Sequence, residues 1–141
     1  MRRCVLVLVR SLVTLLGSVL IAGAATIYVE PNGSDGDSGL TWDLAKKTIQ
    51  AGINAAVAGG HANVVVSNGT YAVAASITIS NALTVESYDS DVSKTIVSWS
   101  GGPIFVLSHA SAVLQRFTIV NAVNVNGGGV TAGSGVAGFG R

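Results

Sequence analysis

The chain has 141 residues and a formal net charge of +1, a balance that hides an uneven division. Arg2, Arg3 and Arg10 precede residue 25; beyond it Glu30, Asp35, Asp37, Asp43, Glu86, Asp89 and Asp91 face only Lys46, Lys47, Lys94, Arg116 and Arg141. A mildly acidic body with no basic stripe excludes nucleic acid as a partner, and a single cysteine, Cys4, excludes a disulfide framework.

Residues 1–24 have a basic start, an apolar run and a small-residue end, with Ala22 and Ala24 at the positions of an A-x-A cleavage site. The expectation is a secretory signal peptide cut after Ala24. A retained membrane anchor is the competing reading, but Arg10 splits the apolar stretch into pieces shorter than the ~20 residues that span a bilayer. The membrane is therefore expected as a partner only through the signal, before cleavage. Cys4 lies inside the signal and lacks the upstream residues of a lipoprotein cleavage box. An exported body without cysteine relies on its core or on stacked repeats, which points to a bacterial envelope or extracellular location.

The first element of that body is a short β-type run, Ile27 to Glu30, ended by Pro31 and followed by a turn-rich loop over 32–39. Helical spacing follows. Ala45, Ile49, Ile53, Ala56 and Val57 mark an apolar side over 43–58, with Thr41 as the expected N-cap, Asp43 in the first turn and Gly59-Gly60 as the left-handed stop.

Past residue 60 short β-branched runs alternate with turns. VVVS, TVES, FVLS and VNVN align with Ser67, Ser87, Ser108 and Asn126 in one column, and ITI, TIV and FTI align on Thr78, Ile96 and Thr118. A recurrence of about 20 residues, read as two strands per unit, predicts an all-β chain built as a stacked parallel solenoid, with Val65, Val85, Val106 and Val125 pointing inward. A β-sandwich also has many short strands, but no hairpin turn of matching length separates neighbouring runs here.

The stretches IYVEPNGSDGDSGLTWDLAKKTIQAGINAA (26–56), NVVVSNGTY (63–71) and FTIVNAVNVNGGGV (117–130) carry a resemblance to a known group. The chain resembles the N-terminal portion of bacterial secreted right-handed parallel β-helix proteins of the pectate-lyase-like superfamily. That resemblance implies an amphipathic helix lidding the N-terminal end of a right-handed β-helix, here ending after about three to four coils. The expected organisation is a signal peptide over 1–24, strand, loop and capping helix over 25–60, coils over 61–126 and a Gly-rich tail over 127–141. The family includes polysaccharide lyases and hydrolases as well as surface repeats, so the fold alone does not name an activity.

The residues offer little chemistry. Glu86, expected to point outward, with Asp89 and Asp91 in the next turn, reads as a solvated strand end more readily than as a cation site. Asp35 and Asp37 resemble the start of a calcium loop, but Gly39 stands at the third ligand position and no Glu closes it. His61 and His109 lack the spacing of zinc ligands and read as turn residues. Gly133-Ser134-Gly135 is not a nucleophile elbow. Lys94 and Arg116 have no evident acidic partner. Trp42, Trp99, Tyr71 and Tyr88 could offer stacking faces for sugars, though aromatics at turns more often complete packing.

No catalytic, cofactor-binding or metal-binding residue is therefore assigned, and no cofactor is expected. The reading is a secreted or cell-surface repeat module, non-catalytic, whose partner would be a polysaccharide or other cell-surface ligand. The alternative is the N-terminal fragment of a polysaccharide lyase or glycoside hydrolase. Self-association through an open final coil is also expected, because the glycines of residues 127–141 add no packing side chains.

Overall fold

A computed structural model describes residues 25–122 and 129–132. The expected signal over 1–24, Val125, Asn126 and Gly133-Ser134-Gly135 lie outside the described residues.

Ten short strands and one α-helix make up the described chain. The strands are β1 (Thr26–Val29), β2 (Asn63–Val66), β3 (Gly69–Ala72), β4 (Ile77–Ile79), β5 (Thr84–Ser87), β6 (Thr95–Ser98), β7 (Phe105–Leu107), β8 (Val113–Gln115), β9 (Thr118–Val120) and β10 (Val130–Ala132); the helix is α1 (Ile49–Gly59). They form three sheets of orders β1-β2-β5-β8, β3-β6-β9 and β4-β7-β10, and every pairing is parallel. From β2 onward the chain visits the first, second and third sheet in turn, three times over. Each such circuit pairs strand for strand with the next.

That order corrects the expected two strands per unit. The corner between β2 and β3 is only Ser67 and Asn68, so the chain enters a further strand at Gly69. The two aligned columns are mixed for the same reason. β7 pairs with β4 and β10, not with β2 and β5, and Val66 rather than Ser67 stands beside Ser87. Any strand with one buried face shows the same alternation, so residue type does not separate one sheet from another. Strand β10 also falls inside the stretch expected to be tail.

The inward phase needs a second correction. Val64 and Val66, not Val65, are fully buried, and in β7 Phe105 and Leu107 are buried while Val106 is half-exposed. Three successive valines give no polar residue to fix the phase, and a slip of one residue turns every side chain over. Val85 is inward as expected. The core stacks Ile27, Val64, Val85 and Leu114 in one register row and Tyr71, Val97 and Ile119 in another. One polar pair is buried in it: the Ser87 and Thr95 hydroxyls lie 2.7 Å apart, each satisfying the other.

The helix starts six residues later than its periodicity predicts. Ala45 is extended, Lys46 bridges to Val29, and Trp42–Leu44 is a separate 3-10 turn. Backbone bonds to β1 hold this segment: Lys46 N–H donates to Tyr28 O, and Glu30 N–H to Lys46 O. The cap is Thr48, not Thr41, its hydroxyl accepting from Ala51 N–H at 3.2 Å. The Asp35 carboxylate organises this start, accepting the Lys47 and Thr48 N–H groups and the Thr48 hydroxyl at 2.8–2.9 Å. At the other end Gly60 is left-handed, φ 68°, as read.

The buried face of α1, Ile49, Gly52, Ile53 and Ala56, covers β1, β2 and β4. Burying each isoleucine contributes about 1.5–3 kcal/mol. Gly52 permits the close approach, since a methyl there would collide with Val29 Cγ2. Val57 lies off that face and is exposed. No helix among the described residues is long and apolar enough to cross a membrane.

Candidate functional site

Parallel register carries one circuit's surface onto the next. Because Val29, Val66 and Ser87 are aligned, the residues just after them, Glu30, Ser67 and Tyr88, meet at one corner where the chain leaves the first sheet. Tyr28 sits one step earlier on the outward phase of β1, beside Val65. The loop between β1 and α1 then brings Trp42 over this corner. Its ring lies 4.6 Å from that of Tyr28, at 48°, and 5.5 Å from that of Tyr88, at 85°.

Glu30, Trp42, Ser67, Asn68 and Tyr88 line an open groove of about 330 Å³ at this corner. Tyr88 is 67% exposed, far more than an aromatic serving only to pack. The groove wall is fixed from behind. Asn68 Nδ2 donates to Asp89 Oδ2 at 3.1 Å, and the other Asp89 oxygen accepts the Asp91 N–H at 3.0 Å. These two bonds, the Asp91 N–H first, hold the Asp89 carboxyl below its ordinary value. Asp91 in turn is held low by the Ser93 hydroxyl and backbone N–H.

The other singled-out residues are elsewhere or otherwise engaged. Tyr71 is buried, its hydroxyl bonded to the Ser67 carbonyl at 3.1 Å; burial pushes its phenol up to about 12, the Ser67 side chain opposing and Glu30 adding to the rise. Trp99 packs against the core. Glu86 is on the outward face as expected, but Arg116 does have a partner: its Nη2 donates to Glu86 Oε2 at 2.6 Å, and Gln115 Nε2 donates to the same oxygen at 2.6 Å. Arg116 Nε also donates to the Ser87 carbonyl. This corrects the view of Arg116 as isolated, because the register that places Gln115 beside Glu86 brings Arg116 within reach.

His61 is not a plain surface residue either: its Nδ1 is buried without a hydrogen-bond partner, and the ring stands against Gly59. His109 Nδ1 accepts the Ser111 N–H, closing a turn. Lys94 ends a 3-10 turn over Val92–Lys94. Asp35 holds the start of the helix. No group of three or more His, Cys, Asp or Glu is placed to hold a metal among the described residues.

Of the four aromatics read from sequence, the structure brings together Trp42 and Tyr88, and adds Tyr28 and Glu30. Outward phase on β1 is the signal that could have found Tyr28. Comparison with protein-family models, curated proteins and solved structures finds no match to this chain.

Proposed function

We propose that this chain is a right-handed parallel β-helix of the pectate-lyase-like type, exported and displayed outside the cell or at its surface, where it binds carbohydrate without transforming it. Three parallel sheets visited in turn, with a helix over one end, support the architecture, and the strong preference of parallel crossovers for one hand supports its handedness. The observation that carries the function is the groove of Trp42 and Tyr88 beside Glu30, Ser67 and Asn68. Aromatic faces accept the C–H faces of a sugar ring, and carboxylate, hydroxyl and amide groups at the margin can hydrogen-bond its hydroxyls.

Glu86 and Arg116, the pair that a lyase or hydrolase reading would recruit, are bonded to each other on the outward face of the first sheet. Their bond links the second circuit to the third.

Retention of the exported protein on a panel of immobilised polysaccharides tests the reading. Retention lost in Trp42→Ala and kept in Glu86→Ala is expected, with the exported chain beginning at Ala25. Failure to bind any glycan would overturn the binding role. Release of unsaturated sugars or reducing ends, abolished by Glu86→Ala, would replace it with the enzyme reading.

A further inference from the structure

Resting on that carbohydrate reading, we infer that the corner groove selects a glycan bearing protonated amines, such as a polymer of glucosamine, over neutral and uronate glycans. Among the described residues Glu30 is the one charged side chain lining the groove, and it is acidic. A second carboxylate, Asp89, stands directly behind the Asn68 wall. Lys94 acts electrostatically on Asp89 and Asp91 but does not line the groove. A uronate entering here would bring like charge against Glu30, which disfavours it.

The aromatic geometry favours the same ligand. Trp42 and Tyr88 present rings at 85° to one another, so a group seated in their angle meets the negative face of a ring. An ammonium group there gains from ring and carboxylate together. A neutral sugar gains only the stacking. The register of successive circuits sets Glu30, Ser67 and Tyr88 side by side at this corner, about 4.8 Å apart, so ring and carboxylate face one ligand.

Binding of the full exported protein to glucosamine oligomers, their N-acetylated counterparts, polygalacturonate and oligolysine, measured by calorimetry at low and high salt, tests this. The glucosamine oligomer should bind tightest, weaken with salt, and lose on the order of fivefold to tenfold in affinity in Glu30→Gln and again in Tyr88→Ala. Both substitutions are at the surface, and unchanged circular dichroism would confirm that each variant is folded. Equal affinity for the N-acetylated oligomer, or preference for polygalacturonate, would overturn the amine selectivity while leaving carbohydrate binding intact. Equal binding of oligolysine would show that charge alone is read and would also overturn it. Binding to none of the glycans would sink the carbohydrate reading with it.

Discussion

The carboxamide of Gln50 is bonded to both backbone groups of Thr78: its Oε1 accepts the Thr78 N–H at 2.8 Å and its Nε2 donates to the Thr78 carbonyl at 3.4 Å. Thr78 is the central residue of β4, the outermost strand of the third sheet on the side facing α1. A side chain from the helix thus takes the place that a neighbouring strand would hold. Strand edges left open invite pairing with other chains, and this one is closed by a single residue.

Replacing Gln50 by Ala should therefore cost roughly 1–2 kcal/mol, and Gln50→Glu should fall between, since it keeps an acceptor for the N–H but offers no donor. Urea denaturation of the three proteins would show the order. Equal midpoints would mean that water serves Thr78 as well as Gln50 does.

Gly52 gives a test in which two effects have opposite signs. Alanine is favoured over glycine in a helix by about 1 kcal/mol. The added methyl, however, would collide with Val29 Cγ2, and Val29 is wholly buried in β1 with a stiff β-branched side chain. Overpacking of this kind costs about 1–3 kcal/mol, so Gly52→Ala should be destabilised overall. A raised melting temperature would show that α1 rides further from the sheet than its contacts imply.

Acid should act on the start of the helix through Asp35. Burial raises this carboxyl, but hydrogen bonds from Thr48 and Lys47 and the charge of Lys46 lower it further, to a net value below 3.8. A depressed folded value means that the contribution is full above pH 3.8 and is lost as pH falls through that lower value. Asp35→Ala should cost roughly 1 kcal/mol near neutrality, a figure reduced by the residue's exposure, and the gap to the native protein should close in acid. A gap that persists at the lowest pH would assign the effect to packing.

Alkali should act through Tyr71. Its phenol ionises near 10.0 when unfolded and about 12 when folded, so its contribution is present below pH 10 and is lost as pH rises toward 12. The loss amounts to something on the order of 2 kcal/mol. Tyr71→Phe should start less stable, lacking the bond to the Ser67 carbonyl, yet show a flatter decline across that range. Parallel declines would place the alkaline sensitivity elsewhere.

Much of this architecture is legible in the amino acids, and the gaps have physical causes. Alternating β-branched runs mark most strands, and Gly59-Gly60 marks the end of α1. The start of α1 does not follow from periodicity, because Ala45 and Lys46 carry helical spacing but are drawn into extended structure, Lys46 by bonds with Tyr28 and Glu30 and Ala45 by accepting the Ser34 N–H. Asp35, set aside as an incomplete calcium loop, proves to be the organiser of that start. The third strand per circuit is hidden by a two-residue corner.

The site was half visible. Trp42 and Tyr88 stand out by type, whereas their meeting, and the Glu86–Arg116 pair, depend on register, which residue spacing fixed one position away from its place at Ser67.

The corner that holds the groove is also where the circuits differ in length. The first crosses from β2 to β3 in two residues, Ser67 and Asn68; the second runs from Tyr88 through Lys94 before β6 begins; the third again takes two, Arg116 and Phe117. The paired strands on either side stay in register throughout. Extra chain can thus be admitted at this corner without moving a core residue, while a single residue inserted in β5 would exchange Val85 and Glu86 and empty the interior. Lengthening the segment between Ser87 and Thr95 is the change this protein should tolerate best, and it would alter what the groove meets while leaving the scaffold that presents it untouched.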